Sequence, residues 1–474
     1  MDSHKEIKAG VGYTIGNILI KGISFISLPV FSRLMSSSEY GYFNTYVAYE
    51  AILAIILGVG MHASIKNAQY DFKEEQAVFV STQAIIVLLT TIIVGVIYFV
   101  FQIQINSFTG FSTQIMTLLI LQSFGAAMLN IVNSKLSLNY DYKSYLWYAA
   151  FNTIVNFLLS VILILTVMAD NRLLGRVIGA ATPLLLIGVY SFLGFEKRVS
   201  PRFDKRMAKY ALAFGFPLVW HYLSQQIQSQ FDRIMITNLV DASSTGIYSF
   251  VYTIANIFQI LFYSTDNVWG VWMFKQLEKK DYAMIRAKSK QYMLLISCIA
   301  CCMIVVSREL IMIMGPETYW SGANLFIPII VGMYFLFIYT IPVGVEYFYK
   351  ETKYIGATTL LAAIVNVITN YIFIRQYGYQ AAAYTTLLSY VLMFILHWFI
   401  SGKVLNKHSQ KKFLAFKDFA LYIAVVVTVG AVTIVLNPYP IAKYFFSITV
   451  LSFAIWHYKD MWIPYVKSFL KRNK

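Results

Sequence analysis

The chain has 474 residues, of which 58% are hydrophobic and 13% charged, and it carries a formal net charge of +16. A soluble protein of this length carries roughly 25% charged residues, so the composition excludes a soluble multidomain architecture and predicts an all-α polytopic membrane protein. The first apolar run is too long for the core of a cleavable signal, so we expect it to remain as a helix. Cys298, Cys301 and Cys302 share one apolar run without a second ligand pair, which favours buried thiols over a metal site.

Fourteen apolar runs approach the roughly 20 residues that span a bilayer. In chain order they cover residues 11–34, 43–63, 77–101, 113–134, 145–168, 173–195, 208–238, 246–271, 291–314, 321–346, 354–374, 380–401, 418–436 and 441–458. We therefore expect fourteen transmembrane helices. They form two six-helix lobes, residues 1–207 and 208–415, and a C-terminal helix pair with a basic tail, residues 416–474.

The distribution of basic residues indicates the orientation. With the N-terminus in the cytoplasm, every cytoplasmic segment is rich in lysine and arginine, whereas the outer segments hold only Arg172, Arg176, Arg375 and Lys443. Cytoplasmic loops of membrane proteins carry such an excess of positive charge. We therefore expect a protein of the bacterial plasma membrane with both termini on the cytoplasmic side. The lipid bilayer accounts for the basic charge without a nucleic acid partner.

The seventh and eighth predicted spans, within residues 214–272, each carry a polar stripe at helical spacing. The first stripe consists of His221, Gln225, Gln228 and Asp232, and the second of Tyr252, Asn256, Gln259, Tyr263 and Asp266. Lipid cannot satisfy these groups, so we expect them to face each other, other helices or a water-filled cavity. Asn366 and Asn370, on the eleventh span, are better explained as interhelical hydrogen bonds.

An internal repeat relates the two predicted lobes. A polar turn followed by a glycine and an aromatic residue occurs at Gly41 and again at Gly246, 205 residues later. Two further pairs of similar segments have nearly the same offset. One pair begins at Lys143 and Lys353, and the other at Gly175 and Gly378. This pattern indicates a six-plus-six duplication whose parallel repeats are related by an axis along the membrane normal.

Short motifs in both halves resemble those of the Wzx-like polysaccharide flippases, of the multidrug/oligosaccharidyl-lipid/polysaccharide exporter superfamily. They are Leu-Pro-Val-Phe-Ser-Arg at residues 28–33, Ser-Glu-Tyr-Gly-Tyr-Phe at 38–43, Phe-Pro at 216–217, Asp-Arg at 232–233 and Gly-Ile-Tyr-Ser-Phe-Val-Tyr at 246–252. The resemblance implies two six-helix lobes in a V, with helices 1, 2, 7 and 8 lining a cavity. It also implies transfer of undecaprenyl-diphosphate-linked oligosaccharide units to the outer leaflet, for capsule, O-antigen or teichoic-type polymers. A polysaccharide polymerase and a chain-length regulator are the implied protein partners.

Several polar residues are candidates for contacting the substrate headgroup. Lys21 lies in the middle of the first span, where it either lines the cavity and binds a phosphate or extends to the cytoplasmic surface. Arg233 either contacts the anionic headgroup or ties its helix to a neighbour. His221 and Gln225 belong to the first polar stripe and are further candidates. Trp220 lies away from the membrane interface, where its ring can stack on a sugar. Arg33 is either an outer interface anchor or a further substrate contact.

Three intramembrane acids, Glu50, Asp232 and Asp266, are candidates for charge balance or for coupling to H⁺ or Na⁺. Each could instead partner a cation, and Lys21 has a suitable depth for Glu50. No P-loop, HExxH or GxSxG pattern occurs, so we expect neither a cofactor nor an enzymatic activity. Two alternatives remain open: a small-molecule cation antiporter, which prefers an acidic cavity, and a membrane-embedded polymerase, which needs a large outer loop or a carboxylate–metal site.

Overall fold

The computed structural model describes residues 16, 22–23, 25–197, 199, 202–408, 410 and 412–457. Every regular element in these residues is a helix, and no strand occurs among them. Predicted spans 2 to 14 each coincide with a helix or with consecutive helices of the described residues. Lys21 and most of the first predicted span lie outside them.

The described residues of the first half of the chain form nine α-helices. They are α1 (Phe25–Leu34), α2 (Ser37–Gly58), α3 (Ile65–Asp71), α4 (Gln76–Val100), α5 (Gln102–Thr109), α6 (Thr113–Leu138), α7 (Tyr142–Leu165), α8 (Arg172–Glu196) and α9 (Lys205–Leu239), with a 3₁₀ turn at Met61–Ser64 before α3. Polar caps begin several of them: the Ser36 hydroxyl accepts from the Glu39 amide and the Glu39 carboxylate accepts from the Ser36 amide, a complete capping box. At α7, hydrogen bonds from Ser144 to the Asp141 carboxylate lower the pKa of Asp141.

The remainder of the described chain forms nine further helices. They are α10 (Ala242–Lys279), α11 (Tyr282–Val305), α12 (Ser307–Met314), α13 (Phe326–Ile338), α14 (Thr340–Phe348), α15 (Thr352–Tyr377), α16 (Ala381–Lys407), α17 (Phe416–Leu436) and α18 (Pro440–His457), with a 3₁₀ helix at Glu317–Leu325. The run predicted as one span at 321–346 is thus divided among a 3₁₀ helix, α13 and α14.

Among the described residues, ten helical segments are long and apolar enough to cross a membrane. The number becomes eleven if α2 and Met61–Asp71, which are bent by 52° relative to each other, count as one span. The polar helix α9 is not among them because His221 and a series of glutamines interrupt its middle. The count of fourteen spans and the two-lobe arrangement therefore stay predictions.

The packing divides the chain into two compact units. The first comprises residues 1–253, 314–319 and 356–385, and the second comprises 254–313, 320–355 and 386–474. In the first unit, α6 packs on α8 and α2, α7 packs on α8, and α2 packs on α9. The apolar core there includes Leu57, Phe79, Met128 and Met207. The predicted boundaries at 207/208 and 415/416 stay predictions.

The second unit is centred on α13, all of whose residues are buried. Helix α11 packs along α17 and α13. Arg286 and Lys290 of α11 reach Asp418 of α17 at 2.7 and 2.9 Å between nitrogen and oxygen. The first helix of the predicted C-terminal pair is therefore integrated into the second unit by a charged network.

Candidate functional site

Asp232 of α9 lies in the first unit at the centre of a buried hydrogen-bond network. Its side chain is 1% exposed. The Tyr248 hydroxyl donates to Oδ2 at 2.6 Å, and the Asn370 amide donates to Oδ1 at 2.6 Å. Asn370 also donates to the Asn366 side-chain oxygen at 3.1 Å and accepts from the Thr385 hydroxyl. Neutral donors from α10 and α15 therefore hold the carboxylate, as buried charge requires. The expectation that Asn366 and Asn370 form interhelical bonds is met at Asn370.

Arg233, the next residue, is a buried cation in the same unit. Its side chain is 5% exposed, Nη1 donates to the Ser229 carbonyl at 2.8 Å, and the guanidinium lies 4.8 Å from the centre of the Tyr252 ring. The ion pairs found among the described residues do not include Arg233. Adjacent helical residues point about 100° apart, which keeps Asp232 and Arg233 from pairing directly. The guanidinium is held by a carbonyl and an aromatic face.

The preceding turns of α9 are more accessible. Trp220 is 64% exposed, and Gln225 is exposed. His221 is half-buried, with its Nε2 atom 3.3 Å from the Gln225 amide nitrogen. We call Trp220, His221 and Gln225 the open half of α9, and Gln228, Asp232 and Arg233 the closed half, in which every side chain is buried. Side-chain exposure thus falls along α9, from the open half to the closed half.

Two glycines allow a close backbone contact beside the closed half, where α2 packs against α9 and α10. A Cβ on Gly41 would lie 1.7 Å from the Ala242 carbonyl oxygen, and one on Gly246 would lie 2.0 Å from the Ser37 oxygen. The two backbones can approach this closely only because both residues lack a side chain. Gly41 and Gly246 are the repeat-related glycines, so the two equivalent turns lie against each other.

Hydroxyl pairs flank these glycines on both sides. Ser37 and Ser243 approach to 2.7 Å between their Oγ atoms, and Thr45 and Thr237 to 2.6 Å. We call this contact the glycine seam; it comprises Ser37, Gly41, Thr45, Thr237, Ala242, Ser243 and Gly246. Small residues and these hydrogen bonds make the contact tight.

Two further arginines lie near the ends of the helices that form this region. Nη1 of Arg33 donates to the Pro29 and Met314 carbonyls, each at 2.9 Å. Arg176 is 9% exposed, lies 4.1 Å from the ring centres of both Phe31 and Phe43, and donates to Asn156 and Ser160 at 2.5 and 2.7 Å. The charge distribution placed Arg176 in an outer segment, but the side chain is buried. The feature of the sequence that could have indicated this burial is the pair of polar residues at 156 and 160, one turn apart in an apolar helix.

The other two predicted acids lie apart from this network. Glu50 of α2 is half-buried, and no ion pair of the described residues includes it. Lys21, its predicted partner, lies outside the described residues. Asp266 belongs to the second unit, where it is half-buried and lies near the Thr340 side chain. The structure brings Asp232 and Arg233 into one buried region and leaves the roles of all nine predicted site residues as predictions.

Two solved structures with a similar helix arrangement are a lipid flippase and a multidrug transporter. The lipid II flippase MurJ, in an inward closed conformation, superposes with a TM-score of 0.74 at 16% identity, over 95% of this chain and 99% of that chain. A multidrug resistance MATE family transporter of the MOP superfamily, in an inward-facing conformation, gives 0.64 at 14% identity, over 84% and 96%. At these identities the likeness establishes the fold. The protein is a multi-pass membrane protein with the fold of that transporter superfamily.

The sequence itself establishes the family. The family described as polysaccharide biosynthesis protein matches residues 7–269, more than half of the chain. The chain therefore belongs to that family, and the sequence-based resemblance to polysaccharide flippases is confirmed. A protein of the Lsg locus of Haemophilus influenzae is 22% identical over 376 residues, which cover 77% of this chain and 90% of that protein.

Proposed function

We propose that this protein is a flippase that moves undecaprenyl-diphosphate-linked oligosaccharide units from the cytoplasmic to the outer leaflet, by alternating access, for assembly of a cell-surface polysaccharide. Family membership supports the polysaccharide context, and the similarity to a lipid II flippase supports a lipid-linked cargo. The observation that carries the proposal is Arg233, a guanidinium 5% exposed in the most polar of the long helices.

An anionic headgroup explains why such a cation is retained. A charge at the centre of a transmembrane helix costs about 2.5–3.5 kcal/mol for insertion, so intramembrane cations commonly mark the path of a substrate or ion. Guanidinium groups match phosphate oxygens with two parallel hydrogen bonds. In our proposal Arg233 and Lys21 hold the diphosphate, and Trp220, His221 and Gln225 contact the first sugars. Arg33 contacts the headgroup as it leaves, and the isoprenoid tail stays in lipid.

Alternating access requires the closed half of α9 to become accessible. We propose that the glycine seam lies at the outer end and separates in the outward-open state, since both of its turns fall in predicted outer segments. The same movement exposes Arg233 to the outer side. Moving net negative charge outward against an inside-negative potential is favourable by about 2.3 kcal/mol per charge per 100 mV. Glu50, Asp232 and Asp266 then serve charge balance or coupling to H⁺ or Na⁺, and a polymerase and a chain-length regulator receive the product.

A deletion strain tests this proposal. Loss of the protein should abolish surface polymer and leave lipid-linked oligosaccharide protected from membrane-impermeant glycosidase added to intact cells. Complementation with the wild-type chain should restore both polymer and accessibility. Unchanged polymer, with increased sensitivity to cationic drugs, would instead support a small-molecule antiporter. Accumulation of single repeat units already on the outer leaflet would support a polymerase.

A further inference from the structure

Glu346 of α14 and His397 of α16 form a buried acid–base pair in the second unit. The Glu346 Oε1 and His397 Nδ1 atoms lie 2.8 Å apart, and both side chains are 0% exposed. The second carboxylate oxygen, Oε2, is also buried and has no hydrogen-bond partner among the described residues. Neither residue belongs to the polar stripes of α9 and α10, and the proposed headgroup contacts do not use them.

Complete burial restricts the number of protons that this pair can hold. With no proton the pair carries a net negative charge, and with two protons a net positive charge; either is expensive without water or a counter-ion. With one proton, on the carboxyl group or on the imidazole, the pair is neutral. In its buried state the Glu346–His397 pair therefore holds one proton between Oε1 and Nδ1. Release of that proton to water requires hydration of the site, which couples the proton to a change of packing.

Other titratable groups connect the pair to more accessible positions of the second unit. The Tyr339 ring lies 5.4 Å from the His397 ring. Tyr339 and Tyr347 lie near both Asp266 and Glu346, so the two acids belong to one cluster. The titratable and charged groups around the pair are Tyr263 and Asp266 on α10, Tyr292 on α11, Tyr339 and Tyr347 beside Glu346, and Lys412, whose amino group lies 3.7 Å from the Trp398 ring next to His397.

The accessible members of this cluster lie on α10 and at the end of α14. Tyr263 is 41% exposed, Tyr347 is 49% exposed, and Asp266 is half-buried. Asp266 is thus the more exposed of the two carboxylates in the cluster. The Tyr339 side chain lies near Asp266, and its ring lies 5.4 Å from the His397 ring, so this residue connects the two positions.

We propose that Glu346 and His397 form a proton-binding site of this protein, and that Asp266 exchanges the proton between this site and water. The binding itself is independent of the proposed transport function. Its consequence rests on that function: proton uptake and release at the pair accompany the conformational cycle of the flippase. The ligand is a proton, and no cofactor takes part.

Infrared difference spectroscopy on the full-length protein in lipid, recorded across a pH change and in H₂O and D₂O, tests the binding. The wild type should show exchangeable carboxyl and imidazole bands that are lost in Glu346→Gln and in His397→Gln. The double variant Glu346→Gln/His397→Gln keeps two amides able to hydrogen-bond, which protects the fold, and should also lack them. Glu278→Gln, at an exposed carboxylate on α10, is the matched control and should retain them. Bands that persist in the folded double variant would overturn the site.

Two further measurements separate this inference from the flippase proposal. Asp266→Asn should keep the bands but slow their appearance after a pH jump at least several-fold; unchanged kinetics would remove Asp266 from the route. In cells, collapse of the pH gradient should reduce polymer export by the wild type but not by the double variant. If export by the wild type and by the double variant falls equally, while the infrared bands still depend on Glu346 and His397, then coupling of the proton to transport is overturned and proton binding stands. If deletion leaves polymer unchanged, the flippase proposal fails while the infrared result still decides the site.

Discussion

The two halves of α9 differ in exposure, although the stripe of His221, Gln225, Gln228 and Asp232 runs through both of them. In the open half, the Trp220 side chain is 64% exposed. The neighbouring His221 and Gln225 side chains contact each other, with 3.3 Å between their Nε2 atoms. In the closed half, Asp232 and Arg233 are 1% and 5% exposed, with fixed hydrogen-bond partners. The difference arises because the glycine seam brings α2 and α10 against the closed half. A single polar stripe can therefore present an accessible contact surface at one end and a sequestered charge at the other.

Locking the closed half should have the largest effect on this difference. In a background without Cys298, Cys301 and Cys302, the double variant Ser37→Cys/Ser243→Cys should form a disulfide, since the two hydroxyl oxygens are 2.7 Å apart. Because alternating access requires the seam to separate, export of polymer should fall to the level of the deletion strain and recover with a reductant. Each single-cysteine variant should export normally. Full export by the cross-linked protein would show that the seam does not need to open.

Removing the buried cation should have the next largest effect. Arg233→Ala should lower the export rate by about 30- to 5,000-fold, because truncating one member of a buried charged contact costs about 2–5 kcal/mol. Arg233→Lys should recover part of the rate, since it keeps the charge but loses the planar fork. Initial export rates, normalised to the amount of protein in the membrane, provide the measurement.

Arg206→Ala is the matched control for Arg233, because Arg206 lies on the same helix in an exposed ion pair with Glu75. Exposed pairs contribute little to stability, so this variant should behave as wild type. Equal rates for Arg233→Ala and Arg206→Ala would exclude Arg233 from the transport step.

Asp232 should affect stability more than its neighbours in the open half do. Asp232→Ala leaves the Tyr248 hydroxyl and the Asn370 amide without their acceptor, and each such buried donor costs about 1–3 kcal/mol. Asp232→Asn keeps one acceptor oxygen and should lose less. Thermal unfolding in detergent, followed by the loss of monodisperse protein, measures both. Gln225→Ala, at an exposed position, is the control; a loss of stability as large as that of Asp232→Ala would contradict the division of α9 into two halves.

Trp220 should give the smallest effect. Since its side chain is mostly exposed, Trp220→Ala should leave the free energy of unfolding within about 0.5 kcal/mol of wild type. If the ring stacks on a sugar, export should fall by up to about tenfold, as expected from about 0.5–1.5 kcal/mol for an aromatic contact. Trp147→Ala, at a tryptophan 60% exposed on α7, tests whether loss of any exposed tryptophan has this effect.

Hydrophobic length and helical spacing predicted much of the fold. The third predicted span, residues 77–101, is found as Gln76–Val100, and the predicted span 113–134 as Thr113–Leu138. Local breaks were not predicted, such as the 3₁₀ turn at Met61–Ser64, because they depend on how neighbouring helices pack. Gly60, which precedes this turn, adopts a left-handed backbone conformation with φ at 62°. Its neighbour across the packing, Gly215, is distant in sequence and invisible to local patterns.

The candidate site was predictable only where charges fall on a periodic stripe. Asp232 was singled out this way, and Arg233 as the residue beside it, but the stripe could not show which of its residues are buried. Glu346 and His397 were missed because each is a single polar residue in an apolar run, and only packing reveals the pair. Arg176 was missed for a similar reason: position near a helix end suggested an outer charge, whereas two phenylalanine rings and α7 enclose it.

The central claim is that Arg233 carries a lipid-linked anion across the membrane, and leaflet-resolved transport tests it most directly. The purified protein is reconstituted in vesicles with undecaprenyl-diphosphate-linked oligosaccharide from the host strain. The fraction accessible to external glycosidase is then followed over time. We expect the wild type to make the inner-leaflet pool accessible, and Arg233→Ala to do so at least 30-fold more slowly while Arg206→Ala matches the wild type. Equal rates for wild type and Arg233→Ala, or no transfer by wild type above empty vesicles, would contradict the account.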